Sequence, residues 1–375
     1  MDELKLKVGV IFGGMSAENE VSLATGRYVY SLLDPQKFQG IPFYLDKNGG
    51  LWQVPDKLVI QNTIADVESR LEKEAQKIHF EDLKGKVDLV FNALLGKYGE
   101  DGCIQGVLEL SRIPYTGSGI LASALGMDKK THKKMLAAAG FNVARDFLVQ
   151  SSLRSDSGQK EYRVQSEVER WKSKIEETFG FPCVIKPTRE GSSMGVSVVK
   201  NPEGLNVAFE YASKYDNEVL VEEYLRGLEY TCVVWGNKEP KAMLPTEIVF
   251  EGDFFTYEGK YMPGRAQTIT PARVSPEILS EIQKVAVEVY KLIGCVGYGR
   301  VDGFVVGQDI YVTEPHTGSI MVPSSFVFQQ ASQFKISLDD RFTGKKVSTP
   351  LTPRMLVSQI VEMASEAHRH KKGLL

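Results

Sequence analysis

Apolar positions along this chain alternate between two periods. KVGVIFGG, residues 7–14, is a near-continuous apolar run ending in a glycine pair, which predicts a buried strand closing on a turn. SAENEVSLATGRYVYSLL follows, with apolar residues at Val21, Leu23, Tyr28, Leu32 and Leu33, the spacing of one helix face. Strand-like runs return at GIPFYLD, VDLVFNALL and IPYTG, with helix-like segments such as IQGVLELSR between them. Strands alternating with helices predict an α/β layer built on a parallel sheet.

The pattern changes after residue 150. The polar run QSSLRSDSGQKEYRVQ predicts a surface loop, and Ser166 with Glu169 has the form of a capping box, so a helix is expected from there to Gly180. Ser275-Pro276 as cap and first helical residue, Gly294 as terminator, and Ile278, Ile282, Val285, Val289 and Leu292 between them predict another helix. EGDFFTYEGKYMPGRAQTITPAR, residues 251–273, is aromatic but aperiodic, and a stretch of that length inside a compact fold reads as a lid.

Two segments carry chemistry. In FPCVIKPTREGSSMGVSVVK, residues 181–200, a strand runs into a glycine- and serine-rich loop and another strand leaves it. Such a loop suits an anion, because glycines let backbone N–H groups approach it unobstructed. It is neither a P-loop, which reads G-x-x-x-x-G-K-[ST], nor a Rossmann turn, which opens a helix. Gly117-x-Gly119-x-x-Ala122 matches a loose dinucleotide fingerprint, but no acidic residue ending a second strand follows at the required distance, so it reads as a plain strand-to-helix turn.

The second segment is GRVDGFVVGQDIYVTEPHTG, residues 299–318, two alternating runs around Gly307-Gln308-Asp309 that predict an antiparallel hairpin. Pairing Val306 with Ile310 sets Asp302 opposite Glu314 and Arg300 opposite His316, all four on one face. Carboxylates opposed across a ladder lie about 4.5–5.5 Å apart at Cβ and repel. Either that face is solvated or a cation lies between them; paired hard oxygens suit Mg²⁺ or Mn²⁺ and leave positions for phosphate oxygens. Lys186, ending the strand before the glycine-serine loop, adds a point charge, and loop and hairpin together point to ATP.

At 375 residues the chain is long enough for two or three domains. A formal charge of −3 with interspersed signs offers no footprint for nucleic acid or an anionic membrane. Cys103, Cys183, Cys232 and Cys295 stand far apart, which argues against a zinc cluster or a disulfide framework and fits a reducing cytoplasm. No signal pattern opens the chain and no eighteen apolar residues run together, so a cytoplasmic protein outside the membrane is expected.

The chain resembles the ATP-grasp superfamily and, within it, the D-alanine–D-alanine ligases. The resemblance rests on GGMSAENEVSLATG, GKYGEDGCIQGVLELSRIPYTGSGILASALGMDKKTHKKMLAAAG, VIKPTREGSSMGVSVV, VLVEEYLRGLEYT, FTYEGKY and GRVDGFVV…YVTEPHTG, which agree in order and spacing along nearly the whole chain. It implies a fold that is α/β and α+β in three parts: an N-terminal parallel-sheet domain over 1–118, a central ATP-grasp subdomain over 119–214 with the phosphate flap, and a C-terminal one over 215–375 with the metal hairpin and lid.

By the same resemblance Lys129 and Lys186 grip the phosphates of ATP, Glu222, Glu223 and Leu225 face adenine, Glu229 reaches the ribose, and Phe254 joins the nucleotide set. Lys260 approaches the γ-phosphate from the lid, while Tyr261 joins Glu18 and Ser192 in closing the site. Asp302, Glu314 and His316 carry metal, expected as two Mg²⁺ or Mn²⁺ ions, Arg300 stabilises the oxyanion, and Ser325 meets the second substrate's carboxylate. Glu18 is assigned the first substrate's ammonium. The implied reaction has one amino acid's carboxylate attack the γ-phosphate; the acylphosphate is then opened by a second amino acid's amine, as peptidoglycan synthesis requires. Small amino acids are the expected partners, with a possible homodimer through the first domain.

The chain departs from the family at several points. The usual E-x-N-T-x-P-G becomes Glu314-Pro315-His316-Thr317-Gly318-Ser319-Ile320, Leu95 stands where a histidine is usual, and Asn19 replaces a basic residue. These changes surround the amino-acid pocket, so two alternatives accompany D-alanyl-D-alanine synthesis: ligation of a different amino-acid pair, and an ATP-binding regulator without catalysis. The Tyr261 position favours an amine acceptor over a hydroxyl one.

Overall fold

The computed structural model describes residues 5–60, 63–150, 160–250, 266–339 and 346–372. Strands β1 (Leu6–Gly13), β2 (Phe38–Leu45), β3 (Leu51–Gln53), β4 (Gln76–Ile78) and β5 (Leu89–Asn92) form the first sheet in the order β4-β3-β2-β1-β5. β1 pairs in parallel with β2 and β5, as the alternating pattern requires, whereas β3 and β4 add antiparallel edges. The turn between β2 and β3 explains that edge. Asp46 accepts hydrogen bonds from the Asn48 and Gly50 amides and the Trp52 indole, which folds the chain straight back. IPYTG contributes only an isolated bridge, Val90 to Tyr115.

The second sheet is antiparallel throughout: β6 (Asp146–Gln150), β7 (Cys183–Pro187), β8 (Ser197–Val199) and β9 (Glu218–Glu223), in the order β6-β9-β7-β8. Helices Lys160–Thr178 and Leu205–Ser213 bury Trp171, Ile175, Leu205 and Phe209 against it. The first of these begins by Lys160, so Ser166 and Glu169 lie inside it and do not cap it. Lys, Glu, Arg and Gln before Ser166 are good helix formers, and they carry the helix back through that stretch. Its C-terminal end falls where expected, with Gly180 at φ 77°.

The third sheet holds β10 (Leu228–Trp235), β11 (Lys241–Ala242), β12 (Thr246–Phe250), β13 (Ala266–Ile269), β14 (Tyr298–Val306) and β15 (Asp309–His316) in the order β13-β12-β10-β14-β15, with β11 beside β10. Helix Pro276–Leu292 starts at Ser275, whose side chain accepts from the Ile278 amide, and packs Ile282, Val285, Ala286 and Val289 on one face of this sheet. The opposite face is left for the cleft and for helix Phe326–Gln333.

β16 (Lys335–Asp339) and β17 (Lys346–Pro350) form a separate pair. Helix Pro353–Lys372 then buries Leu356, Val357, Ile360 and Val361 in the same core as Val8, Val10 and Phe12 of β1. Sheet membership therefore cuts across the expected segments: β9 lies beyond residue 214 but pairs with β7, and the last helix closes on the first sheet. Among the described residues, no helix is long and apolar enough to cross a membrane.

Candidate functional site

The hairpin β14–β15 sets Asp302 opposite Glu314 and Arg300 opposite His316, as expected, but by another route. The turn is one residue tighter, pairing Val306 with Asp309, and a bulge between Asp302 and Gly303 makes up the difference. A Cβ at Gly303 would fall 2.1 Å from the Tyr311 carbonyl oxygen, so the close approach beside the bulge requires glycine.

Facing this hairpin, β7 ends at Lys186-Pro187, the loop 188–196 turns over, and β8 returns. Ser192 and Ser193 hold φ of 48° and 60° in that loop, a left-handed run that costs energy in non-glycine residues and recurs at functional turns. Ser192 donates to the Glu18 carboxylate and Lys97 pairs with Glu190, which ties the loop to segments above the first sheet. A Cβ at Gly191 would lie 2.6 Å from Glu18 Oε2, so this contact too depends on a glycine.

Between the second and third sheets runs a cleft of about 640 Å³. Lys129, Lys186, Ser192, Glu222, Glu223, Leu225, Glu229, Asp302, Glu314 and His316 all line it, so ten of the expected residues share one cavity. Val184, Val198, Leu225 and Phe304 give it apolar walls suited to a flat base. Glu18 reaches the cleft through Ser192. Arg300 and Ser325 stand beside it: the guanidinium lies 5.7 Å from the Phe326 ring centroid and donates to Asp302 Oδ2 at 2.9 Å, and Ser325 occupies the position before the helix that Phe326 begins, without a side-chain capping bond. Phe254, Lys260 and Tyr261 lie outside the described residues.

Opposite charges are closely matched here. Lys129 Nζ lies 2.7 Å from Glu314 Oε1, and Lys186 Nζ 2.7 Å from Glu222 Oε2. Burial raises the Glu222 carboxyl, but Lys133 and Lys186 outweigh it and hold the group at about 2. Burial likewise opposes ionisation of Asp302 and Glu314, yet Arg300 and His316 around the first, and Lys129, His316 and Lys186 around the second, keep both well below the usual carboxylate range. The Glu223 side chain turns away to Arg145 Nε at 2.6 Å, so its backbone is what it offers the cleft.

Two opposed carboxylates fit a hard divalent cation that completes its shell with phosphate oxygens and water. Asp302 Oδ1 is buried and without a hydrogen bond, since Arg300 Nε stands 2.9 Å away at an unsuitable angle, and such an acceptor is suited to a cation. His316 Nε2 lies 3.1 Å from Asp302 Oδ2, but no group of three His, Cys, Asp or Glu side chains among the described residues comes together as a metal cage.

Two buried groups escaped the sequence reading. Lys133 is 3% exposed behind Glu222. Its signal was present, since Lys129 and Lys133 are four apart on one helix and so share a face. Glu100, from the GEDG run, accepts from the Gly96 amide at 2.7 Å and is pushed up to about 8 by burial and by the neighbouring Glu18 charge. The departures sit nearby. Leu95 is buried and its carbonyl accepts from Ser16 at 2.7 Å, so the backbone at this position is used whatever the side chain. Ser325 Oγ is buried with no hydrogen-bond partner among the described residues.

Comparison with known proteins gives this geometry a family. Residues 7–118 match the model of the D-ala D-ala ligase N-terminus and residues 157–339 that of the D-ala D-ala ligase C-terminus. A D-alanine–D-alanine ligase of Geobacillus thermodenitrificans is 35% identical over 337 residues, 86% of this chain and 89% of its own. Among solved structures, the VanG D-Ala:D-Ser ligase of Enterococcus faecalis aligns with a TM-score of 0.77 at 29% identity, over 96% of this chain and 99% of that one. The D-alanine-D-alanine ligase of Coxiella burnetii aligns at 0.74 and 25%, over 99% and 97%. Matched by both models in order and by a relative along most of its length, the chain belongs to the D-alanine–D-alanine ligase family and has its ATP-grasp fold.

Proposed function

We infer that this protein is an ATP-dependent, ADP-forming ligase that joins two D-alanines for peptidoglycan synthesis. The observation that carries the reading is the single cleft with buried Lys129 and Lys186 and a serine-glycine loop facing two opposed carboxylates. Lys129 and Lys186 take the phosphates, Glu222 and Leu225 the base, and Glu229 the ribose. A divalent ion bound by Asp302 and Glu314 would supply charge neutralisation at the transferring phosphoryl group. Arg300, already beside Asp302, is placed to meet the oxyanion of the tetrahedral intermediate. Ser325 Oγ, with no hydrogen-bond partner among the described residues, and the N-terminus of helix Phe326–Gln333 suit the second substrate's carboxylate. Glu18 takes the first substrate's ammonium while Ser192 holds the loop closed over it. Phe254 and Lys260 are assigned to the nucleotide, and Tyr261 to closing the site with Glu18 and Ser192.

A second reading follows from the relationship to the VanG D-Ala:D-Ser ligase together with the changes at Leu95, Asn19 and Ile320: D-alanine joined to a different second amino acid. We place the reaction in the cytoplasm, where ATP is available. A homodimer is supported by an apolar outer face on which Leu110 is 89% and Leu121 72% exposed. The deciding experiment is ADP release across a panel of D- and L-amino acids with Mg²⁺ and Mn²⁺ in parallel, followed by mass identification of the product. Stimulation by D-alanine alone supports the first reading, and stimulation only with another amino acid the second. ATP binding with no stimulated turnover leaves a silent regulator.

A further inference from the structure

Helix Lys129–Ala138 sends two lysines the same way, and only the first reaches the cleft. Lys133 stops short of it, with its donors directed at three acceptors: Glu222 Oε1 at 2.5 Å, Asp146 Oδ2 at 2.9 Å and the Ala144 carbonyl at 3.0 Å. Asp146 and Glu222 are register partners on β6 and β9, so Lys133 lies against a pair of acids opposed across that ladder. Glu222 Oε2 meanwhile holds Lys186. The carboxylate is thus gripped from behind by a lysine outside the cavity lining, while Glu222 itself lines the cavity.

We propose that Lys133 is a positioning residue for the nucleotide base: by fixing Glu222 as an oriented, ionised acceptor, it makes the cleft select a purine bearing an exocyclic amine over one bearing a carbonyl. An anionic oxygen fixed in place accepts from the amine of adenine and repels the carbonyl oxygen of guanine. The inference rests on the ATP reading of the cleft and adds the source of its base preference. Without Lys133, Glu222 would keep only Lys186 and could rotate toward it, while Asp146, half-exposed, would turn to water.

The test is ADP and GDP affinity by calorimetry on the full chain. The wild type is expected to prefer ADP. Lys133→Met with Asp146→Asn, which removes the cation and one of its acids together, is expected to weaken ADP by about 10–100-fold, the range of a lost charged hydrogen bond, and to narrow the ADP-to-GDP ratio about tenfold. Glu222→Gln, which leaves Asp146 to neutralise Lys133, is expected to narrow the ratio equally, and combining the changes should narrow it no further. A purely structural Lys133 predicts a lower melting temperature with the ratio intact, and that result in both variants overturns the proposal. Failure of the ligase reading looks different: an intact ADP preference, sensitive to these variants, with no amino acid stimulating turnover.

Discussion

The two ends of the cleft solve opposite problems. At the nucleotide end nearly every buried charge is already answered: Lys129 by Glu314, Lys186 by Glu222, Lys133 by Glu222 and Asp146. At the amino-acid end, beside the cleft, groups are left wanting: Ser325 Oγ is buried with no hydrogen-bond partner among the described residues, and Glu100 beside Glu18 is pushed up to about 8. The first end is electrostatically preorganised. The second pays in advance for ligands that complete it, the usual sign of a site whose stability is traded for function. Of the departures from the family, Leu95 lies in the run that carries Glu100, and Asn19 follows Glu18 directly.

The largest expected effect breaks the contrast from the nucleotide side. Lys129→Met removes the charge at the phosphates and strips Glu314 of its partner, and kcat/KM for ATP is expected to fall about 10³-fold in coupled ADP release. KM for D-alanine, measured at saturating ATP, should hold within about twofold. A comparable loss in D-alanine KM would mean that the two ends are not separable.

Ser325→Ala tests the other side. It removes a hydroxyl with no partner among the described residues, so KM for the second amino acid is expected to rise about tenfold while KM for ATP and the melting temperature stay put. A fall in melting temperature would show that Ser325 serves the fold.

The nucleotide end was the more legible in the sequence, and the reasons are physical. Lys186 and the loop after it are contiguous, and period two alone puts Asp302 and Glu314 on one face. The register itself was reached through compensating differences: the Gly307-Gln308 turn is one residue shorter than read, and the bulge beside Gly303 restores the alignment. The bulge breaks the period of two at Thr313-Glu314, where two successive residues are partly buried, and reading the turn one residue too long conceals that phase shift. Lys133 was missed because its partners Ala144, Asp146 and Glu222 come from elsewhere in the chain, so its role exists only after packing. For the same reason nothing in the pattern of Pro353–Lys372 announced that this helix returns to β1.

A smaller effect comes from pH. Glu100 has its carboxyl raised from the ordinary 4.5 to about 8, first by burial and then by Glu18, with Glu314 adding to the rise and Arg300 opposing it. The native protein therefore keeps a proton that the unfolded chain gives up above 4.5, so this contribution to stability is full in acid and is lost as pH rises through 8. Glu100→Gln carries no titrating proton. Its melting temperature should fall less than that of the wild type between pH 6 and 9, by about 2–5 °C. Parallel curves for the two proteins would place Glu100 in water and leave the amino-acid end less strained than the geometry has it.

The smallest expected effect concerns the seam where the two ends meet. His316 stands where relatives of this kind carry an asparagine, and its Nε2 rests 3.1 Å from Asp302 Oδ2. Imidazole nitrogen is a softer ligand than an amide oxygen and suits Mn²⁺ better than Mg²⁺. If His316 turns from Asp302 to the ion when nucleotide binds, ADP release at saturating metal should favour Mn²⁺ by about a few-fold, and His316→Asn should abolish the difference. Mn²⁺ affinity in the presence of ADP, read by electron paramagnetic resonance, should weaken in step. Equal rates with the two metals, unmoved by the substitution, would remove His316 from the metal and leave it as the group that holds Asp302 in place through their 3.1 Å contact.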